Sequence, residues 1–383
     1  MHRAFLGSST GRARGSFFFL VITVCALLLA QPLDAQRRPV SGKRRAGVRV
    51  VSEESVGLTP AMRIVIGHIK ADSLKGHVSF LASDLLEGRD TPSRGLDLAG
   101  EYIASQFRRF GLEPAGDNGT YFHSMVVRPE DPESPKSRNV AGILRGSDPL
   151  LKGEFVLVSS HYDHVGIVKE PKDATADLIF NGANDDASGT ASVLETAYAL
   201  SSLHPRPRRS VVFILFAGEE QGLRGSRWYA QHPVVPLEKT IAHINMEQMG
   251  RTDATEGAKL ATLNITGYDF SSLTQVFVGA GRLTEVKVLK DDKASDTYFN
   301  RSDNGPIATL GIPAHTISVA YGFPDYHGVD DEWEKIDYDN LEKVDRAVGV
   351  GVLRLANMAL PPKWNESYPA AQPYVDAYKK LHP

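Results

Sequence analysis

Cysteine is almost missing from this sequence: Cys25 is the only one in 383 residues. That excludes an intramolecular disulfide framework and any thiolate-rich zinc or iron–sulfur site. A large charge of one sign is missing too. Lys and Arg number 43 against 46 Asp and Glu, a formal net charge of −3. A dedicated nucleic-acid binder would usually carry a basic face, so nucleic acid is not an expected partner. The apolar run from Phe17 to Ala30 has 14 residues, short of the ~20 a helix needs to cross a bilayer. There is no internal repeat. What is present is an apolar fraction of 42%, ordinary for a globular protein and too high for a disordered or fibrous chain.

The small net charge conceals two unlike parts. Residues 1–50 hold nine Lys and Arg and one acid, a local charge of +8; the remainder has 34 basic and 45 acidic residues, a charge of −11. Arg3, Arg12 and Arg14 precede the apolar run, and Gln31, Pro32 and Ala35 follow it. Basic residues, a short apolar stretch and small residues near a cleavage point describe a secretory signal. We therefore expect a signal peptide over 1–35, export to the periplasm or medium, and no stable membrane insertion after cleavage. An uncleaved anchor is the competing reading of the run. Cleavage would remove Cys25. Residues 36–60 mix Arg, Pro, Gly and Ser without periodicity and read as a flexible basic linker. Residues 61–383 read as one domain with no inserted module.

Within that domain, 73–86 and 96–112 space their apolar residues as amphipathic helices, and Gly111 makes a C-terminal stop. β-rich runs follow at 154–160, 210–217, 240–246 and 312–320, separated by helical segments at 191–203, 223–232 and 340–360. Apolar strands alternating with helices predict an α/β fold, a mixed but largely parallel central sheet flanked by helices.

The informative polar residues stand at the carboxyl ends of those strands, where open α/β sheets bind ligands. The first strand runs into His161-Tyr162-Asp163-His164. Asn184-Asp185-Asp186 opens the next helix. The following strands end in Glu219-Glu220 and in Glu247, and Asp325-Tyr326-His327 lies beyond the last. Singly, each is an ordinary turn, cap or solvated loop. Together they supply imidazoles and carboxylates suited to a binuclear zinc site. Such a site needs a carboxylate able to bridge two ions, terminal ligands on each, and an open position for water. A surplus carboxylate beside the ligands suits a general base.

The segments HYDHVG, NGANDDASG, FAGEEQGLRGS and DYHGVDD, in this order and spacing, resemble metallopeptidase family twenty-eight. These are co-catalytic di-zinc aminopeptidases, with aminopeptidase Y and glutamate carboxypeptidase among their relatives. The similarity runs from about Leu74 to Leu360. It implies the phosphorylase/hydrolase-like fold of zinc exopeptidases, two Zn²⁺ per chain, peptide substrates, and a hydroxide shared by the ions as the attacking group. Carried over by residue, His161, Asp185, Glu220, Glu247 and His327 are implied as metal ligands, with Asp185 as the bridge. Glu219 is implied as the general base and Asp163 as the carboxylate that orients the His161 ring. The bond from Asp185 to Asp186 is often cis in that family. Glu247 stands where the family usually has Asp. It keeps the charge and adds one methylene, which leaves metal distance and preference open. Ser302-Asp303-Asn304 matches a further family segment without a role.

Removal of N-terminal residues is the expected reaction. A carboxypeptidase or dipeptidase would instead need a cation for a terminal carboxylate, and Arg89, Arg224, Arg251 and Arg301 are available. A glutaminyl cyclase and an inactive binding module are the remaining readings.

Overall fold

All seven residues of Phe155–His161 and all seven of Ser210–Phe216 are buried. A strand with no polar face is one covered on both sides, and the rest of the architecture follows from that. The computed structural model describes residues 57–169 and 176–383. The expected signal peptide and most of the linker lie outside the described residues.

Along the chain the strands are β1 (Glu113–Pro114), β2 (Phe122–Val126), β3 (Lys136–Leu144), β4 (Phe155–His161), β5 (Gly166–Ile167) and β6 (Ile179–Phe180). Then come β7 (Ser210–Phe216), β8 (Thr240–Met246), β9 (Thr262–Ile265), β10 (Lys287–Leu289) and β11 (Ala314–Ser318). The helices are α1 (Pro60–His68), α2 (Ala71–Leu81), α3 (Arg94–Arg109), α4 (Gly189–Ser201) and α5 (Arg224–Gln231). They continue with α6 (Leu273–Thr284), α7 (Asn304–Ala308), α8 (Tyr338–Asn357) and α9 (Gln372–Leu381). The main sheet has the order β1-β3-β7-β4-β8-β11-β9-β10, with β2 also on β3. β7, β4, β8 and β11 are parallel; β3 runs against its neighbours, and β9 runs against β11 but parallel to β10. The sheet is mixed and largely parallel.

Successive side chains of a strand point to opposite faces, so two cores form. Val156, Val158, Phe213, Leu215 and Ile244 pack with helices that include α2, α3, α4 and α8. Leu157, Val212, Ile214 and Phe216 pack on the other face with Ile307, Tyr374 and Val375. One polar row crosses the middle of the sheet. Ser159, Asn245 and Thr316 stand level in register; Ser159 Oγ donates to Asn245 Oδ1 at 2.7 Å, and Asn245 Nδ2 to Thr316 Oγ1 at 3.2 Å. That row sits directly beneath the strand ends.

The expected strands and helices appear, most with ends shifted by up to three residues. α3 ends before Gly111, whose φ of 70° is the left-handed turn that glycine takes without cost. The helix expected over 73–86 stops at Leu81. There Arg89, buried, sends its guanidinium back to the carbonyls of Leu81, Tyr162, Asn181 and Gly182, and the chain from Asp84 turns to bring it in. The polar segment 127–137 hands its last two residues to β3. β2, β3, β9 and β10 were not among the expected strands.

Candidate metal centre

Five chain segments meet above the carboxyl ends of β7, β4, β8 and β11, and hydrogen bonds decide which side chain of each faces inward. In Asn184-Asp185-Asp186 the outer two residues are anchors. Asn184 Oδ1 accepts the backbone N–H groups of Gly250 and Arg251 at 2.8 and 2.9 Å. Asp186 Oδ1 accepts those of Gly189 and Gln248, both at 3.0 Å. The middle residue, Asp185, is left to point into the site, with its own N–H on Asp331 Oδ2 at 3.1 Å. The close packing needs glycines: a Cβ on Gly189 would strike the Met246 carbonyl and the Asp186 carboxylate.

The two oxygens of Asp185 face two different groups. Oδ1 lies 3.3 Å from His161 Nε2, and Oδ2 lies 3.1 Å from His327 Nε2. His327 Nε2 is also 3.2 Å from Glu220 Oε2, and Glu220 Oε1 meets His164 Nδ1 at 2.9 Å. His161, Asp185 and Glu247 each bring a donor atom within 4.8 Å of the others, and so do His164, Asp185 and Glu220. Asp185 belongs to both sets. Among the described residues the buried Nε2 atoms of His161 and His164 have no hydrogen-bond partner, so the donor set fits divalent cations. The Asp185–Asp186 peptide is cis, as the resemblance implies. His327 has a φ of 52° and its ring stacks on Tyr326 at 4.0 Å. Its loop is pinned where Asp325 takes Arg251 Nη1 at 2.8 Å and Lys335 Nζ at 3.1 Å.

Electrostatics follow from this crowding. Hydrogen bonding to Asp185 and Glu220 raises the His327 imidazole to about 10, against its partial burial. Burial disfavours charge on His161, but Asp163 and Asp185 outweigh it and hold that ring well above its ordinary range. Burial pushes Glu247 up to about 7, opposed by His161 and assisted by Asp185. Burial raises the Glu219 carboxyl too, against His161, with Glu247, Asp303 and Glu220 adding to the rise. The imidazoles hold protons because anions surround them. A divalent cation satisfies the same anions and requires those rings neutral, so binding would release protons.

Residues 139–351 match the model of Peptidase family M28. The chain belongs to that family. Among curated proteins it is 31% identical over 202 residues to a "Probable zinc metalloprotease" of Pyrenophora teres f. teres, covering 50% of this chain and 42% of that one. It is 27% identical over 235 residues to aminopeptidase YwaD of Bacillus subtilis, 59% of this chain and 46% of that one. The match thus spans less than half the length of either relative. Among solved structures, an aminopeptidase from Aneurinibacillus sp. strain AM-1 superposes with a TM-score of 0.58 at 19% identity, covering 80% of this chain and 97% of that one. A glutaminyl cyclase of Porphyromonas gingivalis superposes with 0.56 at 18%, covering 74% and 98%. These two likenesses speak for the fold alone.

In this M28 chain the residues expected at the site stand together at these strand ends, though the second donor set holds His164 and not His327. Asp163 Oδ1 stands 3.6 Å from His161 Nδ1, while the Asp163 carbonyl is nearer at 3.2 Å. The same carboxylate oxygen accepts the Glu219 backbone N–H at 3.2 Å. It therefore ties the His161 and Glu219 segments together. The longer Glu247 still reaches the set that holds His161 and Asp185. Sequence reading missed His164, Asp303 and Asp331. The Asp331 carboxylate holds the backbone N–H groups of Asn184 and Asp185. Asp303 is buried, accepts from Ser226 Oγ, and is pushed up to about 7 by burial, against His161. Ser302-Asp303 thus supports the floor of the site. The segment matched the resemblance without a role, because two polar residues just before a helix read as an ordinary cap.

Proposed function

We propose that this M28 chain is a zinc-dependent exopeptidase that removes N-terminal residues from peptides, with two zinc ions held by His161, Asp185, Glu220, Glu247 and His327. The observation that carries the two-ion reading is Asp185 turning one oxygen to His161 and the other to His327. Zinc, when bound, polarises a carbonyl and acidifies water. The chain's own residues supply the rest. Glu219 is fixed through its backbone on Asp163, and with Asp185 and Glu247 it lines a cavity of about 440 Å³. Its carboxylate is the group to take a proton from water and return it to the leaving amine, the ordinary work of a general base. Removal of N-terminal residues is supported by the likeness to YwaD, named an aminopeptidase.

Hydrolysis of amino-acid p-nitroanilides and of N-blocked peptides, with and without chelator, tests the reading. Chelator-sensitive release from the free-amine substrates is expected. Cleavage confined to N-blocked peptides would overturn it in favour of a carboxypeptidase. We infer further that residues 1–35 direct export, which N-terminal mass spectrometry of the secreted protein would check.

A further inference from the structure

Four arginines could grip a carboxylate by sequence, and three are already engaged. Arg89 is buried against four carbonyls. Arg251 is held by Asp253 through two nitrogens, at 2.8 and 2.6 Å, and by Asp325 at 2.8 Å. Arg224 lies in a separate groove beside Trp228, 3.5 Å from Glu130. Arg301 alone of the four lines the cavity that holds Asp185, Glu219 and Glu247. Its guanidinium rests on the Tyr298 ring, 4.3 Å from the centroid, and no carboxylate among the described residues pairs with it.

The rest of the wall agrees with a polar guest. No aliphatic side chain among the described residues lines the cavity. Ser318 and Tyr321, whose hydroxyls have no hydrogen-bond partner among the described residues but each other, also line it. An unpaired guanidinium on such a wall offers a planar fork matched to a carboxylate. We propose that Arg301 is the specificity-determining residue and that the preferred substrates carry a carboxylate that it binds. This rests on the exopeptidase reading above. Two sources supply the same chemistry: the acidic side chain of an N-terminal Glu or Asp, or the terminal carboxylate of a dipeptide.

The test compares Glu- with Gln-p-nitroanilide, and Leu-Ala with Leu-Ala amide, in wild type, Arg301→Ala and Arg301→Lys. A charged hydrogen bond of this kind corresponds to a preference of about 10- to 100-fold in kcat/KM. It is expected for one acid over its neutral counterpart, is lost in Arg301→Ala, and is partly retained in Arg301→Lys. Preference within the first pair places the carboxylate on the N-terminal side chain, and within the second on the substrate's far end. Because Arg301 is exposed, zinc content and unfolding temperature should stay at wild-type values. Equal losses on all substrates, or unchanged selectivity, would overturn the proposal. Calorimetric binding of free glutamate against glutamine separates the two readings. Hydrolysis of neutral substrates without any Arg301-dependent preference or glutamate binding removes the Arg301 proposal and leaves the exopeptidase. Arg301-dependent glutamate binding without hydrolysis removes the exopeptidase and leaves the carboxylate site.

Discussion

Carboxylates are buried in two places, at the carboxyl ends of the central strands and within the helical layer of α2, α4 and α8. In the helical layer Glu195 accepts Ser73 Oγ at 2.6 Å and faces His77 Nε2 at 3.2 Å, and His77 Nδ1 meets the Tyr102 hydroxyl at 2.8 Å. Asp345 lies nearby on α8, fully buried. At the strand ends, imidazoles and carboxylates converge from separate loops and border a cavity of about 440 Å³. Both donor sets able to hold a metal among the described residues are there. Buried acid alone therefore marks nothing. Ligand atoms from different segments, aimed at common space and short of partners, mark a site.

Breaking the strand-end group should cost activity, and breaking the helical group should cost or gain stability only. The largest effect is expected from Glu219→Gln. Turnover should fall by about two to four orders of magnitude, the usual contribution of a general base, while zinc measured by mass spectrometry stays at the wild-type level. Asp185→Ala should deplete zinc from both sets, and His161→Ala from its own set, because each leaves fewer donors than zinc requires. Retained metal with two ions per chain would sink the bridging role.

A smaller effect sharpens the contrast. His164 stands in the second donor set and meets Glu220, so His164→Ala should weaken metal binding there by at least about 10- to 100-fold. Titration with a competing chelator should show the first zinc unchanged. The smallest effect belongs to the helices. Burial pushes the Asp345 carboxyl well above its usual range, against the Ser192 hydroxyl, and Glu195 adds to the rise. An acid with a raised folded pKa loses stability as pH climbs from its unfolded value toward the folded one, by about 1.4 kcal/mol per pH unit. Asp345→Asn should therefore stabilise the protein at pH 7 and give no gain below about pH 4, where both states hold the proton. Thermal unfolding across that range checks the sign, and zinc content and turnover should not move.

How much was legible in advance depends on how local the signal is. β7 is an almost continuous apolar run, β4 opens with four apolar residues, and α3 carries its own periodicity and glycine stop, so they could be read from neighbours in sequence. β9 and β10 are short and partly polar, and exist because parallel pairing holds them together. At the site, His161, Asp185, Glu219, Glu220, Glu247 and His327 stand at strand ends or in distinctive segments. Asp331 and Asp303 act on backbone and hydroxyl groups 146 and 77 residues away in sequence; both lie in segments that the resemblance matches, but a matched segment does not name its distant partner.

The sequence by itself determined the α/β class, the acidic body and the inventory of imidazoles and carboxylates, because hydrophobic period and residue chemistry are local properties. Only the tertiary structure decided that Asn184 and Asp186 anchor while Asp185 faces inward. Only it decided that His164 joins Glu220, and that of four available arginines Arg301 alone lines the cavity, with no carboxylate partner among the described residues. Those outcomes depend on which distant backbone groups and charges come within hydrogen-bonding reach, and that is settled by packing.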